Sequence, residues 1–148
     1  MLEKFSVLVV DGNPATAGSK RALKSASTGR IIVLDDCKRG KAWRQAIQAA
    51  AREAGIKCRT GPVKLVCNFV LARPKTHRSK DGHLKATAPI DHVTRPDTTK
   101  LLRAVEDALN GVAWADDGQV VSQFASKRYA FPNEKPGVRI GIMPGDHQ

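Results

Sequence analysis

The sequence predicts an α+β domain in which two main helices pack as one layer on a mixed β-sheet. Three observations support this prediction. The length of 148 residues suits one domain, two segments carry apolar residues at helical spacing, and several short runs have the apolar or alternating pattern of strands. The chain has neither an internal repeat nor a linker-like stretch, so the predicted domain spans residues 1–148.

The first half of the chain has two strand-like runs and one helical pattern. Apolar runs predict strands at residues 5–10 and 30–34, and the Gly/Ser/Lys-rich stretch 11–28 between them is predicted to be a loop. A helix is predicted next, because the Asp pair at 35–36 can cap its start and Gly55 can end it. The apolar stripe expected to face the core comprises Trp43, Ile47, Ala50 and Ala54.

The second half supplies the second helix and further strands. Asp97 can cap a helix over residues 98–110, which Gly111 then ends. A basic polar loop is predicted at residues 73–85. The predicted strands are residues 63–71, 90–95, 119–125 and 138–142. The core stripe of the second helix is expected to comprise Leu101, Leu102, Val105, Ala108 and Leu109.

The charge balance indicates a polyanionic partner. Lys and Arg number 25 against 14 Asp and Glu, a net charge of +11, and such an excess favours nucleic acid over a merely soluble basic surface. The aromatic fraction of 5% is too low for a stacking platform that binds single strands, so contact with the backbone of duplex or branched nucleic acid is favoured. The two basic loops supply the candidate DNA contacts: Lys20, Arg21, Lys24, Arg73, Lys75, Arg78 and Lys80.

Several other classes of protein are disfavoured. The sequence has no apolar window long enough to cross a bilayer, and three widely spaced cysteines favour a reduced, cytoplasmic chain without a structural zinc site. Residues 12–20 resemble a phosphate-binding loop, but Ser19 separates Gly18 from Lys20, whereas that motif needs Gly directly before Lys. We therefore expect neither a membrane partner nor a nucleotide cofactor.

An acidic island interrupts the basic chain at residues 97–121, where five acids face two bases. Taken singly, Asp97 is explained as a helix N-cap, and Asp116 and Asp117 before Gly118 as a turn. A helix that is followed by a returning strand would bring Asp117 back towards Asp97. Clustered carboxylates are the ligands that Mg²⁺ takes when it assists phosphodiester hydrolysis. The island therefore predicts a metal site beside nucleic acid.

The motifs of this island resemble those of one family. Arg95-Pro-Asp opens the helix, Asp-Ala-Leu lies inside it, Asp-Asp-Gly-Gln-Val follows it, and Lys127 comes later. This pattern resembles the RusA family of Holliday-junction resolvases, which has an Asp-x-Asp pair, a Lys one turn on, Asp-Ala-Leu, Asp-Asp-x-Gln-Val and a later Lys. The similarity covers residues 89–128, without a gap between Asp97 and Gln119.

The resemblance implies a RusA-like fold and a homodimer that resolves four-way DNA junctions by paired, Mg²⁺-dependent nicks during recombination and repair. Mn²⁺ is an alternative metal, and the source would be a bacterial cell or its phage. Asp97 and Asp117 match catalytic, metal-binding positions, and Asp116 matches an acidic neighbour that would help to bind the metal. Lys127 matches the later Lys and would act in catalysis by offsetting phosphate charge. The other acids of the island, Glu106 and Asp107, are expected to serve the helix surface or a subunit contact.

Two positions depart from the family pattern. Thr99 stands where the family has its second catalytic Asp, and its hydroxyl could ligate metal only as a neutral group. Arg103 replaces the functional Lys, and because a guanidinium stays protonated, we expect it to stabilise phosphate charge. Two alternatives remain open: a branched-DNA binder that has lost its nuclease activity, and a basic RNA-binding protein.

Overall fold

The computed structural model of the chain describes residues 5–16, 20–35 and 38–146. Two α-helices, α1 (Lys38–Glu53) and α2 (Thr98–Leu109), occur in these residues. Short 3₁₀ turns lie at Lys75–His77 and Asp117–Gln119. The strands are β1 (Ser6–Asp11), β2 (Lys20–Lys24), β3 (Ile31–Asp35), β4 (Val63–Leu71), β5 (Val120–Tyr129) and β6 (Gly137–Pro144).

The described strands form two sheets. The larger sheet has the order β1-β6-β4-β5, with antiparallel pairs except for β4 and β5, which run parallel. The smaller sheet is the antiparallel pair β2 and β3. A parallel pair needs a crossover connection, and α2 supplies it between β4 and β5. The acidic island lies on this β4-α2-β5 unit.

One hydrophobic core joins the larger sheet to both helices. Alternate residues of the central strands, such as Phe69 of β4 and Ile140 of β6, are buried on the side that faces the helices. Ile47 of α1 and Leu101 of α2 belong to the same core cluster, and each is fully buried. The predicted α+β fold with two helices on a mixed sheet is therefore confirmed.

The predicted loop at residues 11–28 is wrong in part, because Lys20–Lys24 forms β2. This segment pairs with the apolar run Ile31–Asp35 in a hairpin. Ser25 N donates to Arg30 O at 2.8 Å, and Gly29 takes a positive φ of 67° in the turn. The apolar, β-branched residues of Ile31–Asp35 favour a strand. Their backbone pairs with Lys20–Lys24, a segment whose composition predicted a loop.

The predicted strand at residues 90–95 is also wrong. In this segment Asp91 forms an isolated bridge to Arg128, and Ile90 O accepts from Tyr129 N at 2.9 Å. Proline at positions 89 and 96 bounds the segment and removes backbone donors, which prevents a longer ladder.

The helix faces follow the predicted stripes with small rotations. On α1, Trp43, Ile47 and Ala51 are buried, whereas Ala54 is exposed just before the helix-ending Gly55. On α2, Ala104 is buried and Leu102 only half-buried. Neither helix of the described residues is long and apolar enough to cross a membrane.

Candidate active site

The first candidate carboxylate stands at the start of α2. Asp97 occupies the N-cap position, but its side chain makes no capping hydrogen bond. Its side chain is 62% exposed, and one carboxylate oxygen lies 4.0 Å from the Lys100 ammonium. Helix capping therefore does not account for an aspartate at position 97, because its carboxylate makes no capping bond and is exposed to solvent at the start of α2.

The turn after α2 holds the next pair of acids. Asp116 Oδ1 accepts from Gly118 N at 2.8 Å, and Gln119 Oε1 accepts from Asp116 N at 2.9 Å, which completes a capping box. Gln119 Nε2 also donates to the backbone oxygens of Arg59 and Gly61, at 2.9 Å each. Asp116 thus shapes the turn, and Gln119 fastens the turn to the segment before β4.

Asp117 is oriented by a buried tryptophan. Trp114, which is fully buried, donates from its indole Nε1 to Asp117 Oδ1 at 2.8 Å. The half-buried carboxylate is thereby held on one oxygen. This positioning role of Trp114 was not predicted from the sequence, although Trp114 stands three residues before Asp117.

Replacement of Trp114 by Phe tests this orientation. The ring of Phe keeps most of the packing but removes the N–H donor, so the Asp117 carboxylate loses its fixed direction. If Asp117 is a metal ligand of a nuclease, as the sequence predicts, DNA cleavage should slow by about tenfold or more, the range seen when an outer partner of a metal ligand is lost. Single-turnover rates on a DNA junction, with circular-dichroism melts alongside, measure the effect.

Trp43→Phe is the matched control. Trp43 is also buried, and its indole Nε1 has no hydrogen-bond partner among the described residues, so the substitution changes packing alone. Equal slowing of cleavage in the two variants would show that packing, rather than orientation of Asp117, explains the loss.

Two clefts lie beside α2. One, of about 330 Å³, is lined by Asp97 and by three cations from three separate segments: Arg39, Arg95 and Lys100. The other, of about 350 Å³, is lined by the polar side chains Thr99, Arg103, Glu106, Asp107, Asp117 and Gln123. Asp97 and Asp117 therefore line two different clefts, which share no lining residue in the described part of the chain, and Thr99 and Arg103 lie with Asp117.

The donor chemistry of the second cleft suits a hard divalent cation. Carboxylate and hydroxyl oxygens from Asp117, Glu106 and Thr99 line it, and these are the ligand types that Mg²⁺ takes. Within the described ranges, no group of three or more His, Cys, Asp or Glu side chains is already gathered at metal-binding distance. Of the predicted ligands, Asp117 lines this cleft with Thr99, Asp97 lines the other cleft, and Asp116 lines neither.

Glu106 lies inside the second cleft rather than on an outer helix surface. Burial raises its pKa, the carboxylates of Asp117 and Asp107 raise it further, and Arg103 opposes them. Gln123 Nε2 donates a hydrogen bond to Glu106 Oε1. Sequence reasoning gave Glu106 no part in the site, although its spacing of seven residues from Thr99 places both on one helix face.

The Lys127 ammonium is used within the protein. It donates to Thr94 O at 2.6 Å and to Pro96 O at 3.0 Å, and lies 3.2 Å from His92 Nδ1. Burial and Lys127 lower the pKa of His92, which favours the neutral ring that accepts at Nδ1. These contacts match the three donors of a lysine and fasten the segment that leads into Asp97.

The predicted DNA contacts separate into two groups. Lys24, Lys75 and Lys80 are exposed, as is Arg78, which donates to Gly82 O at 3.3 Å. Arg73 instead donates to Ala130 O at 2.7 Å and to Pro89 O at 2.6 Å and packs over the Tyr129 ring. The side chains of Lys20 and Arg21 lie outside the described part of the structure.

Two cations of the first cleft, Arg39 and Arg95, were not predicted from the sequence, although Arg95 directly precedes Pro96 and Asp97.

Comparison with known protein families shows to which family the chain belongs. The sequence model described as Endodeoxyribonuclease RusA matches residues 11–143, nearly the whole chain. The chain belongs to the RusA family. A relative in Bacillus subtilis (strain 168), described as an uncharacterized protein YqaN, is 29% identical over 148 residues and covers 94% of each chain.

Membership of the RusA family confirms the resemblance found in the sequence. The family is one of endodeoxyribonucleases, so the match supports a nuclease of the Holliday-junction resolvase type. The matched range includes α1, the β4-α2-β5 unit and both clefts. In this RusA chain, Thr99 and Arg103 remain the departures, and both lie in the cleft that contains Asp117.

Proposed function

We propose that the chain is a Mg²⁺-dependent endonuclease that resolves Holliday junctions and other branched DNA by paired nicks, with Mn²⁺ as a substitute metal. The observation that carries the proposal is the RusA match over residues 11–143, a range that includes Asp97 and Asp117 in the two clefts beside α2. Such activity belongs to DNA recombination and repair in a bacterial cell or its phage.

The cationic cleft suits a backbone phosphate next to the cut. Arg39, Arg95 and Lys100 line the same cleft as Asp97, and two of the three are guanidiniums, which bind phosphate through paired N–H donors. Phosphate contacts fix the register of a protein on DNA without reading its sequence. The exposed cations of the 73–85 loop and Lys24 of β2 would hold the junction arms further out, together with the proposed contacts Lys20 and Arg21.

Asp97 and Asp117 are the proposed metal ligands, assisted by the Thr99 hydroxyl and by Asp116. Bound Mg²⁺ would supply an activated water and charge stabilisation at the leaving oxygen. Trp114 fixes the direction of the Asp117 carboxylate. Arg103 lines the same cleft, and because a guanidinium is a poor proton donor, we assign Arg103 to stabilising negative charge on the phosphate.

A homodimer fits the two-fold symmetry of a four-way junction, which offers two equivalent strands to cut. The face of the larger sheet away from the helices supports this proposal. The paired positions Val7, Gly141, Val66 and Phe124 form one row across all four strands, and Phe5 covers Gly141. Phe5, Val7, Val9 and Phe124 are each 57% or 58% exposed, and we assign this open sheet face to the second copy.

Phe124→Asp tests the proposed dimer surface. A carboxylate on the open sheet face would lose apolar contact and, in a two-fold dimer, would bring like charges together. We expect the dimer dissociation constant to rise by about 100-fold, equal to about 2.7 kcal/mol. Sedimentation measures it, with Phe131→Asp as the control, because Phe131 is 45% exposed in the turn after β5. A wild-type chain that is monomeric while making paired nicks would contradict the assignment.

A cleavage assay separates the proposed function from its alternatives. A synthetic four-way junction, a matched duplex and a structured RNA are each incubated with the protein and Mg²⁺ or Mn²⁺. We expect metal-dependent nicks in the junction alone. Tight junction binding with no nicks in either metal would favour the non-catalytic binder, for which Thr99 is the supporting observation. Equal affinity for RNA and junction would favour the RNA-binding class.

A further inference from the structure

Glu106 is a carboxylate of the second cleft for which the proposed function has no role. We propose that Glu106 is a metal ligand of this chain and restores, from two turns along α2, the negative charge absent at Thr99. The inference rests on the proposed function, because it concerns the divalent cation that the proposed cleavage needs.

Helix geometry brings Glu106 and Thr99 to one cleft. Thr99, Arg103 and Glu106 are separated by four and three residues, so they follow one stripe of α2. Glu106 lies about 10 Å along the axis from Thr99, but helical side chains lean towards the N-terminus, which shortens the gap. All three residues line the cleft that also contains Asp117.

The two half-buried carboxylates of the cleft are held in similar ways. Gln123 Nε2 donates to Glu106 Oε1, and Trp114 Nε1 donates to Asp117 Oδ1 at 2.8 Å. Each of these bonds engages one oxygen of a two-oxygen group. Fixing a carboxylate by a neutral donor is the arrangement that orients metal ligands in proteins, because it sets the direction of the group without cancelling its charge.

The electrostatics of the cleft favour a cation between these groups. Glu106 and Asp117 line the same cleft, so two negative charges face one space and repel each other. Arg103 lines the cleft too, but it is exposed to solvent, which weakens its attraction for the two carboxylates. A divalent cation bound by both carboxylates would remove the repulsion, and Thr99 would add a neutral oxygen ligand.

Asp107 provides a matched comparison on the same helix. It follows Glu106 directly, lines the same cleft and carries the same charge, but it is exposed whereas Glu106 is half-buried. If the cleft attracted cations only through its total charge, loss of either acid would weaken metal binding equally. Ligation by Glu106 predicts unequal effects.

Titration of the DNA-free full-length protein with Mn²⁺, followed by the electron paramagnetic resonance of free Mn²⁺, tests the inference without relying on activity. We expect Glu106→Gln to weaken Mn²⁺ binding by about tenfold or more, at least the loss produced when an outer partner of a ligand is removed. Asp107→Asn should change it by no more than about threefold. Adding Thr99→Asp to Glu106→Gln should restore the affinity. Thermal melts confirm that each variant is folded.

Unchanged Mn²⁺ affinity in folded Glu106→Gln, or equal losses in Glu106→Gln and Asp107→Asn, would overturn the inference. Its failure is distinguishable from failure of the proposed function. A wild-type protein that nicks junctions while Glu106→Gln binds Mn²⁺ normally removes only the Glu106 assignment. A wild-type protein that binds Mn²⁺ through Glu106 but never nicks junctions removes the nuclease.

Discussion

Replacing Asp97 or Asp117 by Asn is expected to abolish junction cleavage while leaving junction binding intact. Each substitution removes a proposed ligand charge but keeps the shape of the side chain. We expect single-turnover rates to fall by at least about 10³-fold, more than the 10–100-fold that accompanies loss of an outer partner. Junction affinity, measured in Ca²⁺ or EDTA, should stay the same or rise, because a negative charge near the phosphates is lost.

Glu53→Gln is the control for the two Asp variants, since Glu53 is exposed in the last turn of α1. It removes one charge from the protein without touching either cleft. Loss of junction binding in both folded Asp variants would contradict the proposal that the metal ligands catalyse cleavage while other residues bind the junction. Retention of more than about a tenth of the cleavage rate in either variant would contradict its role as a metal ligand.

Lys127→Met should have the second-largest effect, and for a structural reason. Removal of the ammonium frees the backbone oxygens of Thr94 and Pro96, which it binds at 2.6 and 3.0 Å, and so loosens the segment that carries Arg95 and Asp97. A displacement of about 1 Å at a reacting group costs on the order of 100-fold in rate, which is the loss we expect in single-turnover cleavage. Hydrogen exchange of residues 94–97 should become faster.

The salt dependence of junction binding separates this positioning role from direct phosphate contact. If Lys127 bound a phosphate, its loss would lower the slope of log affinity against log salt by about one. We expect the slope to stay unchanged, because the ammonium is engaged inside the protein. Lys135→Met is the matched control for a lost surface charge, since Lys135 is exposed after β5. A reduced slope without faster exchange would contradict the positioning role.

Local patterns in the chain predicted most of the fold. The alternation Val63–Leu71 gave β4 with its observed bounds, and helical spacing with Asp97 and Gly111 at its ends gave α2 to within one residue. Strand and helix periodicities depend only on residues a few positions apart, so these elements could be predicted from the sequence alone. β2 was missed because Lys20–Lys24 has no strand signature of its own and pairs with an apolar partner strand.

The candidate site was only partly visible in the sequence. Motif spacing pointed to Asp97 and Asp117, but it could not show that Asp116 caps the turn or that Trp114 holds Asp117. Arg39 lies far from Asp97 in sequence and shares its cleft only because α1 packs beside α2. Such contacts arise from tertiary packing between residues far apart in sequence, so the spacing of residues along the chain does not predict them.

Resolution of a supercoiled plasmid that extrudes a cruciform tests the central claim most directly. Paired nicks made within one binding event yield linear DNA, single nicks yield open circles, and a binder without nuclease activity leaves the plasmid supercoiled. We predict linear product that depends on Mg²⁺ or Mn²⁺ and that Asp117→Asn does not form. Plasmid that stays supercoiled at saturating wild-type protein in both metals, with the junction demonstrably bound, would contradict a catalytic resolvase with Thr99 in its site.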